Sequence, residues 1–353
     1  MSMADHLKNS LSKSVGSRRN KFSLRLIDFA TRSTACLLGF AAIVFLGSVE
    51  RVYAQRIYTI GSLNTADQFA DAFEGFKSRM TELGYKQGQN VRYDYHNSKG
   101  DVDVLKRAAQ KLVDDKVNMI VTTSTTATVA AAKATVGTGI PVVFLSAGNP
   151  QKLVKNYSTS GSNLAGISSA SLELTAKRFE LLRELYPRAK RVAMPVDPKG
   201  VNYQGIMAEI QESAPKLGFV VSEIHVHNVA DFANVAPSIA SKSYDAIFTP
   251  ADTLMTVGIE VLAQQAIKEK IPSVTSMLVN VKRGCLMTYA SDYAALGKQG
   301  AVLVDKILKG AKPADLPIEL PEKILLALNL KTAKAIGLKI PKEILLRADE
   351  AFE

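Results

Sequence analysis

Three consecutive hydroxyl side chains, Ser124, Thr125 and Thr126, have the types and spacing of a ligand-binding segment. They follow an apolar run and precede an alanine-rich stretch, which predicts a strand that ends where a helix begins. The first N–H groups of a helix have no intrahelical acceptor, so hydroxyl residues there favour an anion or carboxylate site. The same residues also suit a simple helix cap, and this stretch alone does not decide between the two.

A related segment, Ala251-Asp252-Thr253, follows another predicted strand 127 residues further along the chain. Its carboxylate suits either a ligand contact or a helix cap. In open α/β sheets ligands bind beyond the carboxyl ends of the strands, and other polar residues are expected at such ends. The expected polar lining is Asn64, Ser124, Thr125, Thr126, Ser146, Asn202, Tyr203, Asp252 and Asp292. With Tyr289 and Tyr293 as further aromatic walls, this lining suits a small polar or zwitterionic molecule.

Strand and helix patterns alternate along residues 56–353, and the two halves of this region resemble each other. Three features recur in the same order at offsets of 134, 127 and 131 residues. The pattern predicts an α/β fold of two doubly wound parallel-sheet lobes with a cleft between them. The glycine-rich stretch 161–168 is expected to cross between the lobes, with Gly161 and Gly166 as hinge residues. The recurring features are Leu83-Gly84-Tyr85, 116–123 and Ile140-Pro141-Val142, then Leu217-Gly218-Phe219, 243–249 and Ile271-Pro272-Ser273.

The first 54 residues are interpreted as a secretory signal peptide. Residues 1–35 are basic and serine-rich, and an apolar run, 36–49, follows. A membrane span needs about 20 apolar residues, and this run is shorter. Small residues then lead to a cleavage point after Ala54. A retained membrane anchor is the alternative.

Charge and cysteine content exclude some classes of protein. Without residues 1–54 the net charge falls from +11 to +6, and the remaining basic residues are not clustered. A nucleic-acid-binding surface would need such a cluster, so no nucleic-acid partner is expected. Cys285 would be the single cysteine of the mature chain, which leaves no intrachain disulfide.

Catalytic and metal-binding motifs are not found. No serine has glycines at both flanking positions of a nucleophile elbow, and the sequence has no phosphate-binding loop or dinucleotide fingerprint. Glu223, His225 and His227 lie on one face of a predicted strand, which a solvated surface explains better than a metal site. Phe69, at helical spacing with other phenylalanines, is interpreted as core. The sequence therefore predicts a binding protein without catalytic residues, metal or cofactor.

Several blocks taken together resemble the ABC transporter substrate-binding protein family, whose best-known members bind tryptophan or tyrosine. The resemblance covers 56–346 in order. The blocks that carry it are Leu83-Gly84-Tyr85, Gly88-Gln89-Asn90-Val91, Asp114-Asp115-Lys116-Val117, Ile140-Pro141-Val142-Val143-Phe144, Gly161-Ser162-Asn163-Leu164-Ala165-Gly166, Val281-Lys282-Arg283-Gly284 and Asn329-Leu330-Lys331-Thr332-Ala333.

The resemblance implies a type I periplasmic-binding-protein fold that closes on its ligand by a hinge motion and delivers it to a membrane permease. It adds Ala147 and Ser276 to the expected ligand contacts, and Tyr289 and Ser291 to the hinge. It implies a first lobe of 55–165 and 290–316 and a second lobe of 166–289 and 317–353. Where amino-acid-binding members tend to carry an acidic residue, this chain has Ser276-Met277-Leu278, so an aromatic or aliphatic carboxylate is an alternative ligand.

The expected function is capture of a small molecule by a monomeric protein in the periplasm. Two other classes share this fold. A periplasmic sensor that feeds a membrane signalling receptor would have the same sequence features. A sugar-repressor relative would need a DNA-binding helix-turn-helix at its start, where this chain has a leader.

Overall fold

The computed structural model describes residues 57–154 and 156–353, so the predicted signal peptide lies outside the described residues. Two separate sheets with helices around them form this part of the chain. The strands are β1 (Tyr58–Asn64), β2 (Val91–Asn97), β3 (Met119–Thr122), β4 (Val142–Ala147), β5 (Leu164–Ser168), β6 (Arg191–Val196), β7 (Val220–His225), β8 (Ala246–Thr249), β9 (Ser273–Thr275), β10 (Met287–Ser291), β11 (Ile318–Glu319), β12 (Ile324–Asn329) and β13 (Glu350–Phe352).

Helices occupy most of the connections between these strands. They are α1 (Ala70–Glu82), α2 (Val102–Asp114), α3 (Thr125–Ala134), α4 (Thr175–Leu185), α5 (Tyr203–Ser213), α6 (Phe232–Ser238), α7 (Thr253–Val257), α8 (Ile259–Glu269), α9 (Leu278–Lys282), α10 (Tyr293–Leu308), α11 (Leu330–Ala335) and α12 (Lys342–Arg347).

The two sheets repeat one topology. The first has the order β11-β5-β4-β3-β1-β2, and the second has the order β13-β12-β10-β9-β8-β6-β7. Five strands of the first sheet, β5-β4-β3-β1-β2, therefore match β10-β9-β8-β6-β7 of the second in sequence order. Pairing is parallel except between β10 and β12. The predicted α/β fold class with two mostly parallel sheets is confirmed. Each sheet with the helices packed on it is called a lobe below.

Local sequence explains how each strand–helix unit forms. In α2, Asp101 accepts hydrogen bonds from the N–H groups of Asp103 and Val104 and so caps the helix. Leu105, Ala109 and Leu112 recur on one face and are buried against the sheet. Such apolar faces hold the helices in place, and the loops at the strand ends are left free to form a site.

The glycine-rich stretch is placed differently from the expectation. Leu164–Ser168 is a strand of the first sheet, and the chain crosses to the second lobe only after Ser168. Gly166 has a φ of +157°, and a Cβ there would lie 2.3 Å from the carbonyl oxygen of Phe144. Glycine is therefore required by close strand packing and not by a hinge. Gly161 lies in the loop before this strand, where its N–H donates to the carbonyl of Ala314.

Two further crossings connect the lobes. Strand β10 runs to Ser291 in the second sheet, and α10 returns the chain to the first lobe. Strand β11, Ile318–Glu319, pairs with β5, so the boundary expected at 316/317 also lies too early. Short apolar segments such as β5 and β11 pair with whichever sheet edge buries them, and sequence pattern alone does not show which edge that is.

Helices α1 and α10 of the first lobe touch through glycines. A Cβ on Gly75 would lie 2.1 Å from the carbonyl oxygen of Ala294, and a Cβ on Gly297 would lie 1.9 Å from that of Ala72. No larger residue fits at either position without separating the helices. Helix α10, which follows directly on a crossing, is thereby fixed to the first lobe.

Candidate ligand-binding site

The N-terminus of α3 forms the first-lobe side of the cleft. Ser124 is its N-cap, and the Ser124 hydroxyl accepts a hydrogen bond from the N–H of Ala127 at 3.2 Å. The Thr125 hydroxyl accepts from the N–H groups of Gly148 and Asn149, at 3.0 and 3.3 Å. These hydroxyl groups therefore shape the loops. What the helix offers a ligand is the positive end of its dipole and the N–H groups of its first turn.

Asp252 faces this helix end from the second lobe. It is the N-cap of α7, and its Oδ1 accepts from the N–H groups of Leu254 and Met255 at 2.8 and 3.1 Å. The side chain is 5 % exposed. Burial raises the pKa of Asp252 to about 6, and the neighbouring Asp197 carboxylate raises it further, against the lowering effect of these hydrogen bonds. The carboxylate is charged at neutral pH and would be stabilised by a cation.

Asn202 places a second acceptor beside Asp252. Its Nδ2 donates to the carbonyl of Ala251 at 2.8 Å, which fixes the orientation of the amide. Its Oδ1 is buried and has no hydrogen-bond partner among the described residues. An acceptor left unpaired in this way is costly unless a ligand or a water donates to it.

The two lobes are in contact at this point. Thr126 Oγ1 and Thr253 Oγ1 are 3.1 Å apart, within hydrogen-bonding distance. Both residues begin helices whose N-termini point into the cleft. The site is therefore assembled from equivalent positions of the repeated halves.

A small cavity lies on the hinge side of this contact, with a volume of about 30 Å³. This is room for about two waters. Most of its lining is polar, but one end is formed by Phe69, Met277 and Tyr293. The remaining lining residues are Ser124, Thr125, Ser146, Gly148, Ser169, Ser171, Asn202, Ala251, Asp252, Thr253, Thr256 and Ser276.

A much larger groove of about 870 Å³ opens on the other side of the same contact, at the mouth of the cleft. It lies between α2 and α3 of the first lobe and the loops after β6, β7 and β8 of the second. Asn202, Asp252 and Thr253 line both spaces. The acceptors thus stand where the cavity and the groove join.

A buried arginine supports the crossings behind the cavity. Arg178 of α4 is fully buried, and its Nε and Nη1 donate to the carbonyls of Tyr289 and Ser171 at 2.9 and 2.6 Å. Burial lowers the pKa of Arg178 to about 10. The hydroxyl of Ser291 donates to the carbonyl of Ser169 at 2.7 Å. Two of the crossings are thereby connected to each other and to the second lobe.

The structure distributes the residues predicted from sequence over several places. Ser124, Thr125, Ser146, Asn202, Asp252 and Ser276 line the cavity, and Thr126 lines the groove. Tyr289 and Ser291 lie in the strand that leads to a crossing.

Four predicted contacts lie elsewhere. Asn64 is buried beneath the loops, where it accepts from the Thr123 hydroxyl, and Ala147 is fully buried. Tyr203 donates to Glu223 at 2.8 Å on the second lobe, and Asp292 caps α10 and pairs with Lys323 at 2.9 Å. None of these four residues lines the cavity or the groove.

Other lining residues were not predicted. Ser169 and Ser171 follow β5 and were missed because that strand was taken for a crossing. Phe69 was interpreted as core, although it precedes α1 and its ring lies 5.9 Å from that of Tyr293 at the cavity. In the described part of the chain, no group of three or more histidine, cysteine or acidic residues is arranged to hold a metal. Glu223 and His225 are 3.4 Å apart on the exposed strand β7.

Comparison with known families identifies the kind of protein. The model of the family described as ABC transporter substrate binding protein matches residues 63–352. The chain belongs to this family. The residues that had suggested the resemblance lie largely within the matched region. Between 57 and 353, leaving out 155, no helix is long and apolar enough to cross a membrane.

Individual relatives of this substrate-binding protein have printed ligands. A tyrosine-binding protein of Clostridioides difficile (strain R20291) is 27 % identical over 271 residues, which are 76 % of this chain and 77 % of the relative. The solved structure of an ABC domain from Streptococcus pneumonia in complex with L-Trp is 26 % identical, with a TM-score of 0.78, and covers 84 % of this chain and 100 % of its own.

A ligand-free, open substrate-binding protein from Clostridium difficile is 25 % identical and covers 84 % of this chain and 99 % of its own. Its TM-score is lower, at 0.61. The two lobes of the present structure are thus arranged more like those of the tryptophan complex. The contact between Thr126 and Thr253 agrees with a closed arrangement.

Proposed function

We propose that this substrate-binding protein captures a free α-amino acid between its lobes and presents it to the permease of an ABC importer. The observation that carries the proposal is the pair of buried acceptors, Asp252 and Asn202 Oδ1, opposite the N-terminus of α3. The printed ligands of two relatives, tyrosine and tryptophan, support the same ligand class.

The second lobe would bind the ammonium group. Asp252 is ionised at neutral pH and buried, so a cation beside it removes a destabilising charge. Asn202 Oδ1 supplies a neutral acceptor for another of the ammonium protons. The acidic residue that the family pattern led us to expect near Ser276 is therefore not needed, because Asp252 provides the charge from the neighbouring strand end.

The first lobe would bind the carboxylate. Helix α3 has ten residues, and the N–H groups of its first turn have no intrahelical acceptor. A carboxylate at this end also gains from the helix dipole. Since each end of the zwitterion contacts a different lobe, ligand binding stabilises the closed state.

Placement of the protein in the periplasm completes the proposal. It is supported by the family and by the leader pattern of residues 1–54. We expect a monomer there, because a single chain contributes both sides of the cleft.

The test is titration of the purified protein with three matched ligands, L-phenylalanine, 3-phenylpropionate, which lacks the ammonium group, and phenethylamine, which lacks the carboxylate. L-Phenylalanine should raise the melting temperature, since a ligand at 100 times its dissociation constant stabilises by about 2.7 kcal/mol. Neither truncated ligand should do so at the same concentration. Equal stabilisation by 3-phenylpropionate would show that the site binds carboxylic acids and not amino acids.

A further inference from the structure

The two spaces beside the acceptors differ greatly in size. The cavity on the hinge side holds about 30 Å³, and the groove at the mouth of the cleft holds about 870 Å³. A zwitterion bound by Asp252 and α3 would lie at their junction, because Asn202, Asp252 and Thr253 line both. Its side chain can then extend in one of two directions.

The inner direction is closed by Met277. This residue belongs to the second lobe but packs into the apolar cluster of the first, beside Phe69 and Tyr293, and is 3 % exposed. The Thr256 hydroxyl contacts its sulfur at 3.6 Å. A methionine held on all sides in this way fills the inner end and leaves no volume for a large side chain.

The outer direction is open and has apolar walls from both lobes. Val129 of α3 is one helical turn beyond Thr126, so it lies on the path that a side chain would take away from the helix N-terminus. Val102 and Leu105 of α2 line the same side. Leu254 lines the opposite side, directly after Asp252 and Thr253.

We propose that the ligand's side chain extends outward into the mouth groove, so that this groove is the side-chain subsite and favours α-amino acids with large apolar or aromatic side chains. The inference rests on the proposed function, since it takes the position of the zwitterion from it. The apolar walls contribute affinity in proportion to the apolar area that they bury. Small amino acids leave the groove filled with water and bind more weakly.

The experiment compares three valine-to-tryptophan variants by calorimetric titration with L-tryptophan. Val129→Trp places bulk directly on the proposed path, and Val102→Trp places it on the groove wall at a position that is 49 % exposed and so tolerates the change. Val104→Trp is the matched control, because Val104 lies two residues further along the same helix, is 37 % exposed and does not line the groove.

We expect Val129→Trp to weaken L-tryptophan binding by at least about tenfold, and Val102→Trp to weaken it in the same direction. Val104→Trp should change binding by less than about twofold, as surface substitutions usually do. If Val129→Trp and Val102→Trp both bind as the control does, the side chain does not use the groove and the inference is wrong. Failure of the unmodified protein to bind any standard amino acid would instead refute the proposed function.

Discussion

Thr126 Oγ1 and Thr253 Oγ1 form a 3.1 Å contact across the cleft, between residues that occupy equivalent positions of the repeated halves. Thr126 follows β3 and Thr253 follows β8, and these strands correspond in the matching sheet orders. The contact joins the lobes directly and needs no ligand.

Removal of this contact should favour the open state. Thr253→Val deletes the hydroxyl but keeps a β-branched side chain, and loss of one net hydrogen bond costs about 1 kcal/mol. We expect the ligand-free variant to shift toward the open state by roughly fivefold. Small-angle X-ray scattering should then report a larger radius of gyration. Thr138→Val, which removes a hydroxyl bonded to the carbonyl of Thr135 within the first lobe, should leave the radius unchanged.

Asp252 should make stability fall as pH rises. Burial raises its pKa in the folded protein to about 6, whereas the unfolded chain titrates near pH 4. Between these values the folded state holds a proton that the unfolded state has released, so stability is lost as pH rises from about 4 to 6. The shift corresponds to about 3 kcal/mol. Urea unfolding at pH 4.5 and 7.5 should show this loss in the parent protein relative to Asp252→Asn.

Ligand binding should depend on the same carboxylate with the opposite sign. A bound ammonium lowers the pKa of Asp252, so affinity for L-tryptophan is full above pH 6 and falls as pH decreases below it. Asp252→Asn keeps a side chain that can cap α7 but removes the charge. Its affinity should be at least about tenfold lower at pH 7.5 and nearly independent of pH. An unchanged pH profile in this variant would contradict the role of Asp252.

Arg178 should contribute strongly to stability. Arg178→Ala leaves the carbonyls of Ser171 and Tyr289 without their donor and opens a cavity in a fully buried position. Such losses cost about 3–5 kcal/mol. Arg347→Ala, which breaks a half-exposed ion pair with Glu184, is the control and should cost about 1 kcal/mol or less. Denaturant unfolding of both variants would show whether the buried guanidinium matters more than a surface one.

The glycine contact between α1 and α10 gives a second stability test. Gly297→Ala would place a methyl group 1.9 Å from the carbonyl oxygen of Ala72, which is backbone and cannot turn away. We expect a loss of at least about 2 kcal/mol, as for other overpacked sites. Gly300→Ala, on the same helix, meets the Cδ2 of Leu145 at 2.4 Å, and that side chain can change its rotamer. Thermal unfolding should therefore separate the two variants, with Gly297→Ala the less stable.

The alternation of apolar strands and helices predicted the α/β fold, because burial on both faces of a parallel sheet makes its strands recognisable one by one. The assignment of β5 was wrong because pairing partners are chosen by tertiary contacts that a local pattern does not contain. The same reason explains the site. Loop positions such as Ser124 and Asp252 followed from strand ends, but Met277 and Ser171 reach the cavity through lobe contacts that no local spacing encodes.

The matching strand orders have a consequence for the direction in which a solute can enter. Two halves related by duplication would present the same group twice, and a molecule with unlike ends could then lie either way round. At one pair of equivalent positions the halves differ, since Thr125 stands in the first and Asp252 in the second. That single difference gives the cleft a cation-accepting wall and an anion-accepting wall. Polarity of the guest, and with it the choice between its mirror-image forms, follows from an exchange of one residue within a repeated framework.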